Sequence, residues 1–347
     1  MDAPSAQLRL DLRDAVIREL AQRRPLLHHL NPDTSWFLQV PRPLAATKHG
    51  GRVYFNILID PWLSGGQSDV AKWFSQQWHA QESKVKNIAE VEELAREIEV
   101  LAAPEGLRLG KGRQPNGLSN GGDIETFIDA VAVSHEFTDH CHKETLLEIH
   151  PNIPAFTGQR ADWRSTSLYP LPEWLGISRL VSEKDALYYH SALLIAFNSN
   201  AGSPALNTGN SDEDEVAEAV IYTPHGINNE DLRIVPSASP PIHTLAFLHG
   251  LHDISIGRQQ QLNLGAHNGL KAQRLLQAKY WISTHDEIKK GGGLVSWFLR
   301  RNALTLSEAL EEERKRDGGV LRDESELVAM RDVHFAELMN GESKVLV

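Results

Sequence analysis

Residues 127–140 read FIDAVAVSHEFTDH, and the fold turns on this stretch. Phe127 to Val133 is a short apolar run bounded by polar segments, which predicts a buried strand. Directly after it, one loop carries two imidazoles and a carboxylate: His135, Asp139 and His140. The unit recurs along the chain. His225 follows the strand-like run 218–223, His249 and His252 follow 244–248, and His285 follows 279–283. A divalent cation needs about four donors within roughly 2.0–2.2 Å, and rigid strand ends are suited to presenting them.

Upstream, SWFLQVP (35–41) and RVYFNILI (52–59) are rich in aromatic and β-branched residues and are separated by a Gly-Gly turn, so they read as a hairpin. The second run opens onto Asp60-Pro61-Trp62-Leu63. Asp60 thus stands at a strand end, where it fits both a turn cap and a functional carboxylate. From Ala6 to about Arg24 apolar residues recur at helical spacing among charges, predicting an amphipathic helix. Residues 67–122 change character, with a charged helical pattern at 88–101 and a Gly/Asn/Lys-rich run at 110–122. They read as an insertion or lid over a pocket. Downstream, 187–197 and 218–223 read as strands flanking the acidic stretch 211–218, 268–278 as a helix, and 305–316 and 324–339 as closing helices.

The chain has 347 residues, 46 Asp+Glu against 35 Lys+Arg, and a formal charge of −11. No basic block stands out, which argues against nucleic acid as a partner. Cys141 is the one cysteine, so no intramolecular disulfide or thiolate metal site forms, and a packed thiol is the simpler reading. No stretch reaches the roughly 18 apolar residues of a membrane span, and the N-terminus does not read as a signal peptide, so a cytoplasmic location is expected. The Gly-rich segments 119–122 and 291–293 lack the Gly-Lys-Ser/Thr ending of a phosphate loop.

Taken in order, His135-x-x-x-Asp139-His140, His190 in YYHSALLIAF, His225 in YTPHG and His285 in ISTHDE resemble the metallo-β-lactamase superfamily, over about 36–287. TSWFLQVPRP, IDPWLSG, SHEFTDHCHKETL and LGAHNGLKAQRLL are similar to fungal members of it, near the branch of the L-ascorbate-6-phosphate lactonase and N-acylphosphatidylethanolamine phospholipase D types. The resemblance implies an α/β fold, a four-layer αβ/βα sandwich with a helical insertion and a helical C-terminal tail. On that basis 1–30 is an N-terminal helix, 31–300 the main domain with the insertion 67–122, and 301–347 C-terminal helices.

The resemblance also implies a ligand set: His135, Asp139, His140, His190, His225 and His285. Two positions depart from the superfamily's pattern. Phe137 stands where the second histidine of His-x-His-x-Asp-His belongs, and His225 where a bridging Asp is usual. An apolar ring cannot coordinate a cation, so the first metal position is expected to be weak, leaving one divalent ion on Asp139, His140, His225 and His285. Zinc is expected first, with iron or manganese as alternatives. Asp60, Asp286 and His252 are the candidate proton donors or substrate contacts, with His249 and His267 nearby in sequence. Any one of these histidines alone reads as a hydrogen-bonded structural residue; the joint pattern points to metal. The expected function is a hydrolase of a small-molecule ester, lactone or phosphodiester using metal-bound hydroxide. The alternative is a non-catalytic relative that binds a metabolite or partner through a degenerate metal site.

Overall fold

The computed structural model describes residues 6–47, 51–103, 126–157, 171–182, 185, 189–198, 216–257, 260–316 and 333–347. Two six-stranded sheets carry the fold. The first runs β18-β1-β2-β3-β6-β7, built from β1 (Leu26–His29), β2 (Trp36–Pro41), β3 (Tyr54–Ile59), β6 (Ala130–Val133), β7 (Ala155–Thr157) and β18 (Ser343–Val345). The second runs β17-β14-β11-β10-β9-β8, from β8 (Leu175–Val181), β9 (Ser191–Phe197), β10 (Ala217–Thr223), β11 (Ile242–His249), β14 (Tyr280–Ile282) and β17 (His334–Ala336). The expected hairpin is β2 against β3, with Trp36 opposite Ile59 and Pro41 opposite Tyr54.

Side-chain alternation sets the layers. Trp36, Leu38 and Val40 of β2 and Ile57 and Ile59 of β3 face inward and meet Val220, Tyr222, Leu248 and Ile282 of the second sheet in one core. Residues of opposite parity face outward. Phe37 and Leu58 pack on Ile88, Val91 and Ala95 of the 88–102 helix, while Ile221, Phe247 and Trp281 pack on Ala266 and Leu270 of the 266–276 helix. The molecule is therefore a four-layer αβ/βα sandwich.

The Ile88–Ala102 helix starts at Asn87, whose side chain accepts from the Glu90 amide, and it buries Ile88, Val91, Ala95 and Glu99 along one stripe. Glu99 accepts from the amides of Val53 and Tyr54, both at 2.8 Å, tying the helix to β3. This helix is thus an outer layer of the sandwich, not the lid expected from its sequence. Of the described insertion, β5 (Gln76–Trp78) reaches the smaller of the two cavities discussed below through Gln77, and Ala80 and Gln81 line the larger. β5 lies between β4 (Gly66–Gln67) and β15 (Lys290–Gly292) in a small sheet; another joins β13 (Gln260–Asn263), β12 (His252–Ile256) and β16 (Leu299–Ala303).

Beyond its helix at Leu306–Arg316, the C-terminal segment supplies strands: β17 pairs with β14 and β18 with β1. The helix expected at 324–339 lies outside the described residues up to 332, and 334–336 is β17. Most of the acidic stretch 211–218, the run 110–122 and residues 187–188 of the strand expected at 187–197 also lie outside them.

Candidate metal centre

Parallel pairing builds the site. β3 pairs in parallel with β6, and β10 with β11 and β11 with β14, so the ends of these strands lie along one edge of the sandwich. Asp60 follows β3, His135, Asp139 and His140 follow β6, His225 follows β10, and His285 follows β14. Asp60 and His285 take positive backbone φ, 44° and 60°, uncommon for non-glycine residues though Asp and His adopt it more readily than most.

His135, Asp139, His140, His225 and His285 are all buried. They form two groups that share His140: His135, His140 and His225 on one side, Asp139, His140 and His285 on the other. In each group one donor atom per residue lies within 4.8 Å of the others. The His140, His225 and His285 rings make a near-equilateral triangle, with centroids 4.9, 4.9 and 5.1 Å apart.

Each ring of this triangle is anchored from behind. His140 Nδ1 lies 2.7 Å from Asp60 Oδ2, His225 Nδ1 2.8 Å from Asn263 Oδ1, and His285 Nδ1 3.0 Å from Asp33 Oδ2. An Nδ1–H donated to each oxygen leaves the Nε2 lone pair turned inward, the arrangement metal-ligating histidines adopt. His140 Nε2 and His225 Nε2 stand 2.9 Å apart. At that separation the two nitrogens share either a cation or a proton held as N–H···N.

His135 is held differently: its Nδ1 is 2.8 Å from Ser134 Oγ and its Nε2 is 2.7 Å from the Tyr189 carbonyl. It packs edge-on to His225, with centroids 4.6 Å apart. Phe137, at the position where the superfamily pattern has histidine, stacks on Tyr189 at 4.9 Å.

Two residues that the sequence did not flag complete the centre. Lys289 Nζ donates to Asp33 Oδ2 at 2.7 Å and Asp139 Oδ2 at 2.8 Å, and lies 5.4 Å from the Trp62 ring centroid. Asp33 is fully buried, and its Oδ1 has no hydrogen-bond partner among the described residues. A lysine four residues after His285 and an Asp in an Asn-Pro-Asp turn read as solvated charges in sequence. The one signal was their position beside apolar strands.

The electrostatics follow from this packing. Burial pushes the His225 and His135 imidazolium forms down, reinforced by neighbouring histidines, and both are held well below the ordinary value. Burial also lowers His285, with Asp33 opposing it. For His140 burial acts downward, but Asp139 and Asp60 outweigh it and raise it. Burial would raise Asp139, yet Lys289, His140 and His285 hold it well below the usual carboxylate range. The formal charges of Asp33, Asp60 and Asp139 against that of Lys289 leave the buried cluster at minus two. Inward-facing imidazole nitrogens in a pocket of that charge fit a divalent cation, which would take the place of a proton on His140.

The remaining candidates fall elsewhere. His190 Nδ1 lies 3.0 Å from Asp185, and His190 belongs to neither donor group. The ligand expected at His190 thus stands apart from both donor groups. Asp60, expected as a proton donor or substrate contact, is fully buried and accepts from the Ser134 amide at 2.7 Å as well as from His140, so its carboxylate is engaged in bracing that ring. Asp286 accepts from the Leu251 and His252 amides and from Ser283, joining the turns after β11 and β14. His252 Nδ1 is 2.6 Å from Arg301. His249 bonds Gly250 and Asn268 beneath Trp281, and His267 bonds Glu312. Cys141 is a half-buried free thiol, which burial pushes up.

Two cavities meet at His285. One, about 120 Å³, is lined by Asp139, His225, His285 and Lys289, with Gln77 and Arg301. The other, about 520 Å³, is lined by His285, His252, Asp286 and Glu337.

No family profile matches the chain, and no curated protein matches it. Solved structures with a related layout include the isothiocyanate hydrolase from Delia radicum gut bacteria, 13% identical, covering 93% of this chain and 99% of that one, with a TM-score of 0.43. A metallo hydrolase from the hyperthermophilic archaeon Ignicoccus hospitalis is 11% identical, covering 92% and 97%, with a TM-score of 0.42. A long-form RNase Z from yeast is 9% identical, covering 94% of this chain and 42% of that one, with a TM-score of 0.41. What those proteins act on belongs to them.

Proposed function

We propose that the chain is a metal-dependent hydrolase of a small ester, lactone or phosphodiester, with one divalent cation, zinc in the first place, at the centre of the imidazole triangle. The observation that carries the reading is the approach of His140 Nε2 and His225 Nε2 to 2.9 Å, with both Nδ1 atoms anchored outward. His140, His225 and His285 would hold the ion, with Asp139 through Oδ1, the oxygen not bonded to Lys289. Such an ion supplies Lewis acidity, polarising a carbonyl or phosphoryl oxygen and lowering the pKa of water toward about 7.

The chain's own residues do the rest. Asp60, Asn263 and Asp33 hold the three rings from behind and fix which nitrogen of each is left to face the centre. The 120 Å³ cavity against Asp139, His225 and His285 admits a small reacting group and excludes bulk water. Lys289 and Arg301 on its wall favour an ester or phosphodiester end that carries or develops negative charge.

The test is metal analysis of protein purified without supplementation, beside turnover of generic ester, lactone and bis-nitrophenyl phosphate substrates. One equivalent of metal with chelator-sensitive turnover lost in His140→Ala supports the proposal; no bound metal, and none on titration, ends it. Metal without turnover across the panel favours the second reading, a non-catalytic binder, which the Phe137 position and the engaged Asp139 carboxylate also favour.

A further inference from the structure

The centre contains more buried carboxylate than one metal ion requires, and a side chain already answers part of it. Asp139 offers one oxygen toward the imidazoles, its Oδ1 lying 3.7 Å from His140 Nε2, and gives the other, Oδ2, to Lys289. The same ammonium bonds Asp33 Oδ2, the atom that anchors His285 Nδ1. A cation bound to the far oxygen of a ligating carboxylate, and braced by a second buried carboxylate, is where the other ion of a carboxylate-bridged pair would sit. We propose that Lys289 is the built-in second cation of this centre, restricting it to a single metal ion and leaving the partner position closed.

The charge balance agrees. Asp33, Asp60 and Asp139 against Lys289 leave a formal minus two, which one divalent ion cancels and two would overshoot by two positive charges in a buried place. The ammonium is confined: its side chain is 9% exposed, the Trp62 ring lies 5.4 Å away, and it lines the 120 Å³ cavity beside the imidazoles. Lys289 therefore positions Asp139 and His285 as well as excluding a second ion. Without it, Asp33 and Asp139 would face each other across an uncompensated gap, with Asp33 Oδ1 already lacking a partner.

This inference rests on the metal reading, and the experiment separates the two. Full-length wild type, Lys289→Met and Lys289→Arg are titrated with zinc and with manganese, and bound metal per chain is counted by mass spectrometry after removal of the excess. Circular dichroism and thermal melting report folding. The expected result is one ion in wild type, one in Lys289→Arg, and two in Lys289→Met, a twofold rise that needs no substrate. Two ions in wild type overturn the inference, and this arm decides even where Lys289→Met fails to fold. One ion in a folded Lys289→Met also overturns it, while leaving the proposed function standing. No ion in any form overturns both, a pattern distinct from the other two.

Discussion

Asp60 Oδ2 and His140 Nδ1 lie 2.7 Å apart with both side chains fully buried, although 80 residues separate them in the chain. Asp60 ends β3, and the loop carrying His140 follows β6, the neighbouring parallel strand. The pair therefore converts strand pairing into ring orientation. Asp60 also accepts from the amide and hydroxyl of Ser134, which pins the start of the His135–His140 loop. A carboxylate at the end of the neighbouring parallel strand thus decides which nitrogen of His140 faces inward.

Asp60→Asn tests that role. The amide keeps the shape and can still accept from Ser134, but it can turn its NH2 toward His140 Nδ1 and so stabilise the tautomer with the proton on Nε2. Loss of such an orienting partner typically weakens metal binding about 10–100-fold. The expected outcome is a weakening in that range in competition with a chromophoric chelator, with the fold retained by circular dichroism. Unchanged affinity would show that the Asp60 contact is only a turn brace.

His190 and His285 separate the sequence reading from the structural one. His285 contributes to the Asp139, His140 and His285 group, whereas His190 is engaged by Asp185. His285→Ala is expected to lower metal affinity by about 100-fold or more, beyond the loss expected from removing an orienting partner such as Asp60. His190→Ala is expected to leave affinity unchanged within a factor of about 2–3. Equal losses in both variants would mean that His190 joins the centre.

The sandwich was readable because its signals are local. The aromatic and β-branched content of β2 and β3, the apolar run of β6 and the helical patterns at 88–102 and 266–276 all lie within single elements. The donors at strand ends were readable for the same reason, since each sits directly after an apolar run. Asp33 and Lys289 were not, because nothing in a turn Asp or a lysine in a polar loop says that each will be buried against the other. The Asp33 contact with His285 spans 252 residues and exists only once both sheets have closed. His190 shows the converse: its local pattern matched, yet the fold leaves it outside both donor groups, beside Asp185 five residues earlier. β17 and β18 have three residues each, too few for a period to show, and they form because open sheet edges accept them.

Gly226 links backbone strain to the site. It follows His225 with φ +86°, and a Cβ there would lie 2.6 Å from Leu264 Cβ and 2.9 Å from Asn268 Oδ1. Gly226→Ala combines a left-handed backbone cost with overpacking, so a loss of about 2–4 kcal/mol in urea denaturation is expected. The displaced turn should also weaken metal binding. Gly176, in β8, has nothing within 4 Å of its ideal Cβ, and Gly176→Ala is the control, expected within about 0.5 kcal/mol of wild type. Matching behaviour of the two variants would mean that the Gly226 turn relaxes freely.

His28 sets part of the acid limit of the fold. Its ring bridges Ser343 of β18 at 2.6 Å and Gln39 of β2 at 2.9 Å, so it holds the C-terminal strand onto the first sheet. Burial pushes its pKa down from 6.5 to about 4, with the Gln39 hydrogen bond opposing the shift. Between those values the unfolded chain holds a proton that the folded one does not, so stability is full above about 6.5 and is lost as pH falls through about 4. The contribution amounts to about 3 kcal/mol, most of it gone by a pH of about 4.5. His28→Gln removes this titration while keeping a polar side chain between Ser343 and Gln39. Urea denaturation at neutral pH and near pH 4.5 is therefore expected to show wild type losing about 2–3 kcal/mol more than the variant. Parallel losses in the two proteins would place the acid sensitivity in the other buried histidines, His29, His135, His225, His249 and His285, which burial also holds low.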